Sequence, residues 1–319
     1  MKLFVTGGAG FIGSNYVHYV LANTDDTVTV FDALTYAGNL ENLRGLDDNP
    51  RFTFVKGDVT DRAAVAAAMD GHDAVVHFAA ESHVDRSIVS PDEFVHTNCD
   101  GTNVMCDVAR RVGVERFLQI STDEVYGSIE EGSFTEDDRL DPRSPYSASK
   151  AGADLIALSY HTTYGLPVLV TRSSNNFGPY QYPEKVIPLF VTNLLDGKKV
   201  PLYGDGMNVR DWCYVEDNCA AVDLVLRNGT VGEIYNIGAG NEVPNRVLTE
   251  TILEILGHDE SMIEYVPDRL GHDRRYSIDT TKIERLGWKP TREYREALEA
   301  TVAWYRDNRW WWEPLKRSA

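Results

Sequence analysis

The chain begins with a short apolar segment that runs directly into a glycine-rich turn, GGAGFIG at residues 7–13, and then into a helical pattern. Glycines between a strand and a helix allow a tight turn, a close approach of the backbone to a pyrophosphate, and close helix packing. The free amides and dipole of the helix N-terminus favour that anion. Asp32 stands 19 residues after Gly13, where its carboxylate can accept from ribose hydroxyls and would repel a 2′-phosphate. The turn therefore predicts a dinucleotide site that prefers NAD to NADP.

Short apolar segments alternate with helical patterns over roughly the first 170 residues. The segments predict strands at residues 2–6, 27–31, 53–56, 74–78, 117–121 and 168–171. Small and apolar residues at helical spacing predict helices at residues 11–21, 61–69, 91–112 and 145–164. This alternation is typical of βαβ units. It predicts an α/β fold with a Rossmann-type doubly wound parallel sheet.

The composition of the chain changes after Thr171, where segments rich in Asn, Pro, Tyr and Gly predict loops. Shorter helices are predicted at residues 188–195, 215–226, 246–256 and 293–308. The run Trp310-Trp311-Trp312 predicts a helix end packed against the body rather than a carbohydrate platform. We expect a dinucleotide-binding domain over residues 1–172 and a smaller C-terminal substrate-binding domain over residues 173–319, with segments of the two interleaved.

The composition argues against several classes of protein. A net charge of −18 would repel nucleic acid, and no basic stripe offsets it. No apolar run reaches the roughly 18 residues that span a bilayer, and the first residues lack the regions of a signal peptide. The four cysteines show no CxxC or His-linked spacing, which argues against a metal site and a disulfide framework. We expect a cytoplasmic protein, whose acidic surface fits either genomic composition bias or adaptation to salt.

Tyr146 and Lys150 are spaced i, i+4 on a predicted helix, so both side chains leave one face. A lysine cation beside a phenol lowers the phenol pKa and makes it a base for a sugar hydroxyl. Ser121 and Thr122 end the preceding predicted strand and lie toward the same edge of the sheet. Together with the glycine turn, these residues predict an NAD-dependent redox centre. An exposed Tyr/Lys pair on an amphipathic helix is the alternative.

The same motifs carry a family resemblance. GGAGFIG at residues 7–13, YSASK at residues 146–150 and Asn98 resemble the extended short-chain dehydrogenase/reductase superfamily, whose members mostly act on nucleotide-linked sugars with a tightly held NAD. Within it, STDEVYG at residues 121–127 and AESHVDRS at residues 80–87 closely resemble the dTDP-glucose 4,6-dehydratases. The resemblance covers essentially the whole chain. Ser173-Ser174 and Asn15 depart from residues common in that family, without touching the chemistry.

The resemblance implies oxidation of glucose at C4, loss of water across C5 and C6, and return of hydride to C6. Tyr146, beside Lys150, is then the oxidation base, and Thr122 lies near the C4 oxygen. Glu124 takes the C5 proton and Asp123 protonates the departing C6 hydroxyl. Two carboxyls in opposite protonation states can supply both roles. A plain polar corner that caps the following turn is the alternative for this pair.

The resemblance also assigns binding residues. Cofactor contacts are expected at the edge of the sheet from Gly7, Gly10, Phe11, Ile12, Gly13, Asp32, Leu34, Thr35, Asp58, Val59, Phe78, Ala79, Ala80, Ser82, Thr97, Ser121, Tyr146, Lys150 and Asn176. Substrate contacts are expected from His83, Thr122, Asn175, Lys185, Val186, Pro201, Tyr203, Arg210, Asn245, Arg269 and His272.

Several functional alternatives stay open at this point. A UDP-sugar 4-epimerase or UDP-glucuronate decarboxylase of the same fold would use Tyr146 and NAD but would not need the Asp123-Glu124 pair. A non-catalytic NAD-sensing protein would need none of the catalytic residues. The resemblance favours a dTDP sugar over UDP, CDP or GDP sugars, although one methyl on the base changes binding by only about 1–3 kcal/mol. The two long helices at 91–112 and 145–164 suggest a homodimer through a helix bundle.

Overall fold

The computed structural model describes residues 1–268 and 271–317. These residues form twelve strands: β1 (Lys2–Thr6), β2 (Thr27–Asp32), β3 (Phe52–Lys56), β4 (Ala74–His77), β5 (Arg116–Thr122), β6 (Val168–Ser173), β7 (Asn175–Phe177), β8 (Val200–Tyr203), β9 (Val209–Tyr214), β10 (Ile234–Ile237), β11 (Glu242–Pro244) and β12 (Ile263–Val266). The same residues form twelve α-helices: α1 (Phe11–Asn23), α2 (Arg62–Met69), α3 (Val84–Val89), α4 (Pro91–Phe94), α5 (Gly101–Val112), α6 (Pro145–Tyr164), α7 (Val186–Leu195), α8 (Val215–Asn228), α9 (Asn245–Leu256), α10 (Thr281–Arg285), α11 (Tyr294–Asp307) and α12 (Arg309–Arg317).

A seven-stranded sheet in the order β10-β6-β5-β4-β1-β2-β3 forms the centre of the molecule. Every pairing in it is parallel. One apolar core packs α1 and α8 against one face, and a second packs α2, α5 and α6 against the other. Helices on both faces of a parallel sheet are the doubly wound arrangement. The predicted fold class is therefore confirmed.

The smaller part of the molecule is built around its own apolar core. Helices α7, α9, α11 and α12 contribute to that core, which includes the buried side chains of Trp311 and Trp312. Two small sheets, β11-β9-β7 and β12-β8, complete this region. Since Trp311 and Trp312 are buried in a helix at the end of the described chain, the predicted packing of that segment is confirmed.

The sequence and the structure differ at the helix predicted over residues 91–112. The chain is helical there, but a π-helical segment at Val95–Asp100 separates α4 from α5. Strand β10 follows the predicted boundary at residue 172 and still pairs with β6 in the large sheet. The division into two domains at that residue stays a prediction. Among the described residues, no helix has both the length and the apolar character that crossing a membrane requires.

Candidate active site

The glycine turn lies between β1 and α1 at the carboxyl edge of the large sheet. Gly7 has a φ of +67°, and a Cβ on it would lie 2.6 Å from the Ala79 amide nitrogen. A Cβ on Gly13 would collide with the Gly7 carbonyl. Gly10 precedes α1 and places no capping side chain on its N-terminus. The amides of the first helical turn therefore remain available to an anionic group.

Asp32 ends β2, the strand beside β1, and lines the same cleft. Its carboxylate accepts from the Ala9 amide at 2.9 Å and from the Leu34 amide at 2.8 Å. Burial raises the pKa of Asp32, and the two amides oppose that shift. Leu34 has a φ of +56°, which turns the chain sharply after β2. The turn and the carboxylate are thus joined directly, through the Ala9 peptide.

A cleft of about 250 Å³ runs along this edge. It brings together most of the predicted cofactor residues: Gly7, Gly10, Phe11, Ile12, Gly13, Asp32, Thr35, Asp58, Val59, Phe78, Ala79, Ala80, Ser82, Thr97, Ser121, Tyr146 and Lys150. Leu34 and Asn176 are not among the residues that line it. Leu34 contributes its amide to Asp32 instead, while the Asn176 side-chain amide donates to the Ser174 carbonyl.

Sequence reasoning selected Ser82 and Lys185 beside the cleft but not their aromatic and charged neighbours. The Arg86 guanidinium lies 3.7 Å from the Tyr36 ring centre and 3.5 Å from the Glu184 carboxylate. Tyr36 and Tyr182 meet edge to face at 5.6 Å, and both line the cleft. Lys185 donates from Nζ to the Ser82 carbonyl at 2.8 Å. No periodic pattern marks such loop residues, although Tyr36 and Tyr182 stand beside motifs that the sequence did single out.

Tyr146 and Lys150 both line the cleft from the first turns of α6. Ser144 caps that helix, and Ser147 returns a hydrogen bond to the cap residue. Lys150 is buried and donates from Nζ to the Ile120 carbonyl at 2.6 Å. Burial lowers the pKa of this lysine, and the Asp154 carboxylate opposes the shift.

The expected lowering of the Tyr146 pKa by Lys150 stays a prediction. The pKa of Tyr146 is raised above its ordinary value, first by burial and then by the charge of Glu124, while a hydrogen bond with Thr122 opposes the shift. The Lys150 ammonium is directed at the Ile120 carbonyl. A positive charge brought close to the phenol would lower this pKa.

Asp123 and Glu124 follow β5 in a short 3-10 turn, which Thr122 caps by accepting from the Glu124 amide at 3.3 Å. Asp123 is buried, and its Oδ1 accepts from the Thr122 hydroxyl at 3.2 Å. Its Oδ2 has no hydrogen-bond partner within residues 1–268 and 271–317. Burial raises the pKa of Asp123 well above its ordinary value, and the nearby charges of Glu124 and Asp211 add to this. These causes favour the protonated form of Asp123.

Arg210 approaches the acidic pair from β9. Its guanidinium donates to the Val209 carbonyl at 2.7 Å and to the Asp273 carbonyl at 2.9 Å, and lies 4.1 Å from the Tyr276 ring centre. Its charge opposes the upward pKa shift of Asp123, which places the two groups within electrostatic range. Burial raises the pKa of Tyr276, and the charge of Glu124 adds to this shift. Sequence reasoning did not identify Tyr276.

The other predicted substrate residues are distributed over the neighbouring loops and helix starts. Tyr203 and His272 meet edge to face at 6.1 Å, and the His272 Nδ1 lies 2.6 Å from the Asp268 carboxylate. Asn175 and Asn245 each bury a side-chain oxygen that has no hydrogen-bond partner in the part of the chain that the structure describes. His83 caps α3, Val186 begins α7, and Pro201 lies in β8. Arg269 lies outside the described residues.

Comparison with known proteins gives a consistent result. The family model described as GDP-mannose 4,6-dehydratase matches residues 4–301. The dTDP-glucose 4,6-dehydratase of Streptomyces antibioticus is 56% identical over 324 residues, covering 99% of this chain and 96% of that protein. The low-salt glycan biosynthesis protein Agl12 of Haloferax volcanii is 57% identical over 305 residues, covering 96% and 98%.

Solved structures extend the similarity to the backbone. The crystal structure of DesIV, a dTDP-glucose 4,6-dehydratase from Streptomyces venezuelae with NAD bound, superposes with a TM-score of 0.97 at 56% identity. The match covers 99% of this chain and 100% of DesIV. The backbone that surrounds the cleft is therefore shared with that protein.

Proposed function

Because the chain belongs to the family that the GDP-mannose 4,6-dehydratase model describes, we propose that it is a dTDP-glucose 4,6-dehydratase. It is an NAD-dependent hydro-lyase that converts dTDP-glucose into dTDP-4-keto-6-deoxyglucose and water. The observation that carries this proposal is the Asp123-Glu124 pair, which lies at the end of β5 beside the cleft. Burial raises the pKa of Asp123 and so favours the protonated form that an acid for elimination requires.

The cleft fits NAD. Added Cβ atoms on Gly7 and Gly13 would collide with the Ala79 amide nitrogen and the Gly7 carbonyl, so these glycines permit the tight turn that lets the backbone approach a pyrophosphate. The uncapped start of α1 offers amides to that group, and Asp32 offers a carboxylate to a ribose. Bound NAD supplies the hydride acceptor and donor of the reaction and adds positive charge beside Tyr146.

Side chains of the protein carry out the proton transfers. Tyr146 takes the proton of the C4 hydroxyl, and Thr122 holds the phenol in place through the hydrogen bond they share. Glu124 takes the C5 proton, which the neighbouring C4 ketone makes acidic. Asp123 then protonates the C6 oxygen as it leaves, a role that the burial-raised pKa of this carboxyl favours. Lys150 contributes a buried positive charge on the same face of α6.

The experiment is mass spectrometry of dTDP-glucose incubated with the purified protein, with no NAD or reductant added. Loss of one water from the sugar nucleotide would support the dehydratase and show that NAD copurifies and is regenerated. An unchanged mass with a new 4-epimer on chromatography would support a 4-epimerase instead. If dTDP, UDP, CDP and GDP sugars all stay unchanged, the protein is an NAD-binding protein without this activity.

We also propose that the protein is a homodimer. Large apolar side chains are exposed on the helices that pack together near Tyr146, including Val89 on α3, which is 82% exposed, and Leu155 on α6, which is 59% exposed. Helix α6 packs against α3, α4 and α5, so these side chains belong to one bundle of helices. An apolar surface of this kind is typical of a protein interface.

Light scattering tests the dimer. The wild-type protein is expected at twice the 35.7 kDa mass of the chain, and Leu155→Arg should shift it toward one chain mass. Val247→Arg is the matched control, because Val247 is also exposed but lies on α9. A monomeric wild-type protein would reject the proposal.

Finally, we place the protein in the cytoplasm. Nucleotide sugars and NAD are cytoplasmic metabolites, and the four cysteines are unpaired, as is typical of a reducing compartment. Fractionation of source cells checks this, and recovery of the protein outside the cell would contradict it.

A further inference from the structure

Trp311 on the last helix is linked by hydrogen bonds to the glycine turn. It is 2% exposed, and its indole Nε1 donates to the Asn42 side-chain oxygen at 2.8 Å. The Asn42 amide nitrogen then donates to the Ala9 carbonyl at 2.9 Å. The Ala9 amide donates in turn to the Asp32 carboxylate at 2.9 Å. These hydrogen bonds connect α12 to the carbonyl of Ala9, and the amide of the same residue, in the preceding peptide group, bonds Asp32.

These hydrogen bonds reach the dinucleotide site at Ala9. Ala9 directly precedes Gly10, the residue from which α1 begins. Its carbonyl accepts from both the Asn42 side chain and the Asn39 amide, the latter at 3.0 Å. Both lone pairs of the Ala9 carbonyl oxygen are then used. This fixes the plane of the peptide group between Ala9 and Gly10, and with it the direction of the amides that follow.

Asn42 is itself held in place. It is 1% exposed, and its backbone carbonyl lies 2.8 Å from the His18 Nε2 on α1. The indole of Trp311 occupies its side-chain oxygen, which fixes the orientation of the amide group toward Ala9. Without that indole, the amide loses the bond that holds it toward the turn.

Trp311 also contacts the residue that precedes a second segment of the cleft lining. Its ring meets the Tyr180 ring edge to face at 5.8 Å, and Tyr180 adopts a φ of +68°. The next residues, Gln181 and Tyr182, line the cleft. The neighbouring Tyr305 donates from its hydroxyl to the Gln181 carbonyl at 2.6 Å. Aromatic side chains of α11 and α12 therefore support this segment as well.

We propose that Trp311 is a positioning residue for the dinucleotide, acting through Asn42 on the Ala9 peptide to slow the release of NAD. This inference rests on the NAD site of the proposed function. It concerns retention of NAD rather than the sugar chemistry, so it can be tested whether or not dTDP-glucose is the substrate.

Trp312 provides a matched control. It is 1% exposed, and its indole Nε1 donates to the Tyr305 carbonyl at 2.7 Å. Trp311→Phe and Trp312→Phe each remove one buried indole hydrogen bond from α12, but only the first bond leads to Ala9. A role limited to docking the last helix would make the two variants behave alike.

The experiment measures exchange of protein-bound NAD for isotopically labelled NAD in the full-length holoenzyme, after rapid gel filtration. Loss of a neutral buried hydrogen bond is expected to speed exchange about threefold to tenfold in Trp311→Phe. Trp312→Phe should exchange NAD at the wild-type rate. Unfolding temperatures of the NAD-free proteins show whether the two variants are equally stable. Asn42→Ala should exchange at least as fast as Trp311→Phe, and adding Trp311→Phe to it should change nothing further.

Equal exchange in the two tryptophan variants would overturn the proposal, and so would additive effects of Trp311→Phe and Asn42→Ala. If Trp311→Phe does not fold, Asn42→Ala decides alone, because it leaves the tryptophan ring packed against Tyr180. A wild-type exchange rate in Asn42→Ala would then overturn the proposal.

Discussion

His77, at the end of β4, is expected to make the fold sensitive to acid. It is 1% exposed and lies between two hydroxyls, with Nδ1 2.6 Å from the Thr6 Oγ1 and Nε2 3.3 Å from the Thr102 Oγ1. Thr102 donates its hydroxyl proton to the Asn98 carbonyl, so the Thr102 Oγ1 accepts a hydrogen bond from the His77 Nε2. Nδ1 therefore carries no proton and accepts from Thr6. The bonding pattern assigns a neutral imidazole with its proton on Nε2.

The size of the effect follows from the pKa of His77. Burial, and then the charge of Lys150, lower this pKa from 6.5 to about 3. Above pH 6.5 the imidazole is neutral in both the folded and the unfolded chain, and costs nothing. Below it, the unfolded chain takes up a proton that the folded chain does not, so the free energy of unfolding falls until the pH reaches about 3. At about pH 5 the loss is about 2 kcal/mol, from about 1.4 kcal/mol for each pH unit.

Denaturant unfolding at about pH 7.5 and about pH 5, followed by tryptophan fluorescence, measures this loss. His77→Gln should be less stable at neutral pH but should lose about 2 kcal/mol less than the wild type on acidification. His96→Gln is the control, since the His96 side chain is 63% exposed. If His77→Gln loses as much free energy as the wild type over this interval, His77 is not the group that titrates.

Three further outcomes are expected. Asp123→Asn and Glu124→Gln should each keep NAD bound and oxidise C4, while elimination falls about 100-fold or more. Mass spectrometry would detect the 4-keto sugar that still carries its C6 hydroxyl, and normal turnover would refute the roles. Gly13→Ala should purify without NAD, because its Cβ would meet the Gly7 carbonyl; NAD released on denaturation of this variant would contradict that. Asp32→Ala should bind NAD about tenfold more weakly by calorimetry and discriminate less against NADP, since one charge-assisted hydrogen-bonding group is lost; undiminished rejection of NADP would show that another group excludes the 2′-phosphate.

The parts of the fold that the sequence predicts best carry their signals locally. Helix α6 occupies Pro145–Tyr164, as predicted. Proline stands at its first turn, Ser144 caps it, and Gly165 ends it with a φ of 72°. The six N-terminal strands are all present, and five of them, all except the edge strand β3, consist mostly of buried residues. Such features depend on neighbours in sequence, and so they can be read from it.

Short strands that depend on distant partners were missed. Strand β8 pairs with β12, and β7 pairs with β9, across long stretches of chain. Their few residues show no period that distinguishes them from loops. The π-helical segment at Val95–Asp100 was missed as well, since nothing in its local sequence separates it from the helices on either side.

The candidate site likewise combines residues that strand order brings together with contacts that local sequence does not predict. Parallel strands bring their carboxyl ends to one edge, so the order of the strands along the chain is enough to group Asp32, Asp58 and Ser121. The Trp311–Asn42 hydrogen bond joins residues 269 positions apart, and no local pattern predicts it. The pKa of Tyr146 also depends on where Lys150 points, which spacing along a helix does not determine.

We expect Arg210 to give a chain with a net charge of −18 a local attraction for an anionic substrate. Exposed arginines such as Arg295 and Arg309 each contact two carboxylates, which offset their charge. Arg210 is 5% exposed and is instead held by two backbone carbonyls and an aromatic face, with no ion pair to a carboxylate among residues 1–268 and 271–317. Carbonyl dipoles fix a guanidinium without neutralising it. Since a buried charge is screened little by salt, this arginine keeps its attraction for a diphosphate even where the acidic surface lies in a saline medium.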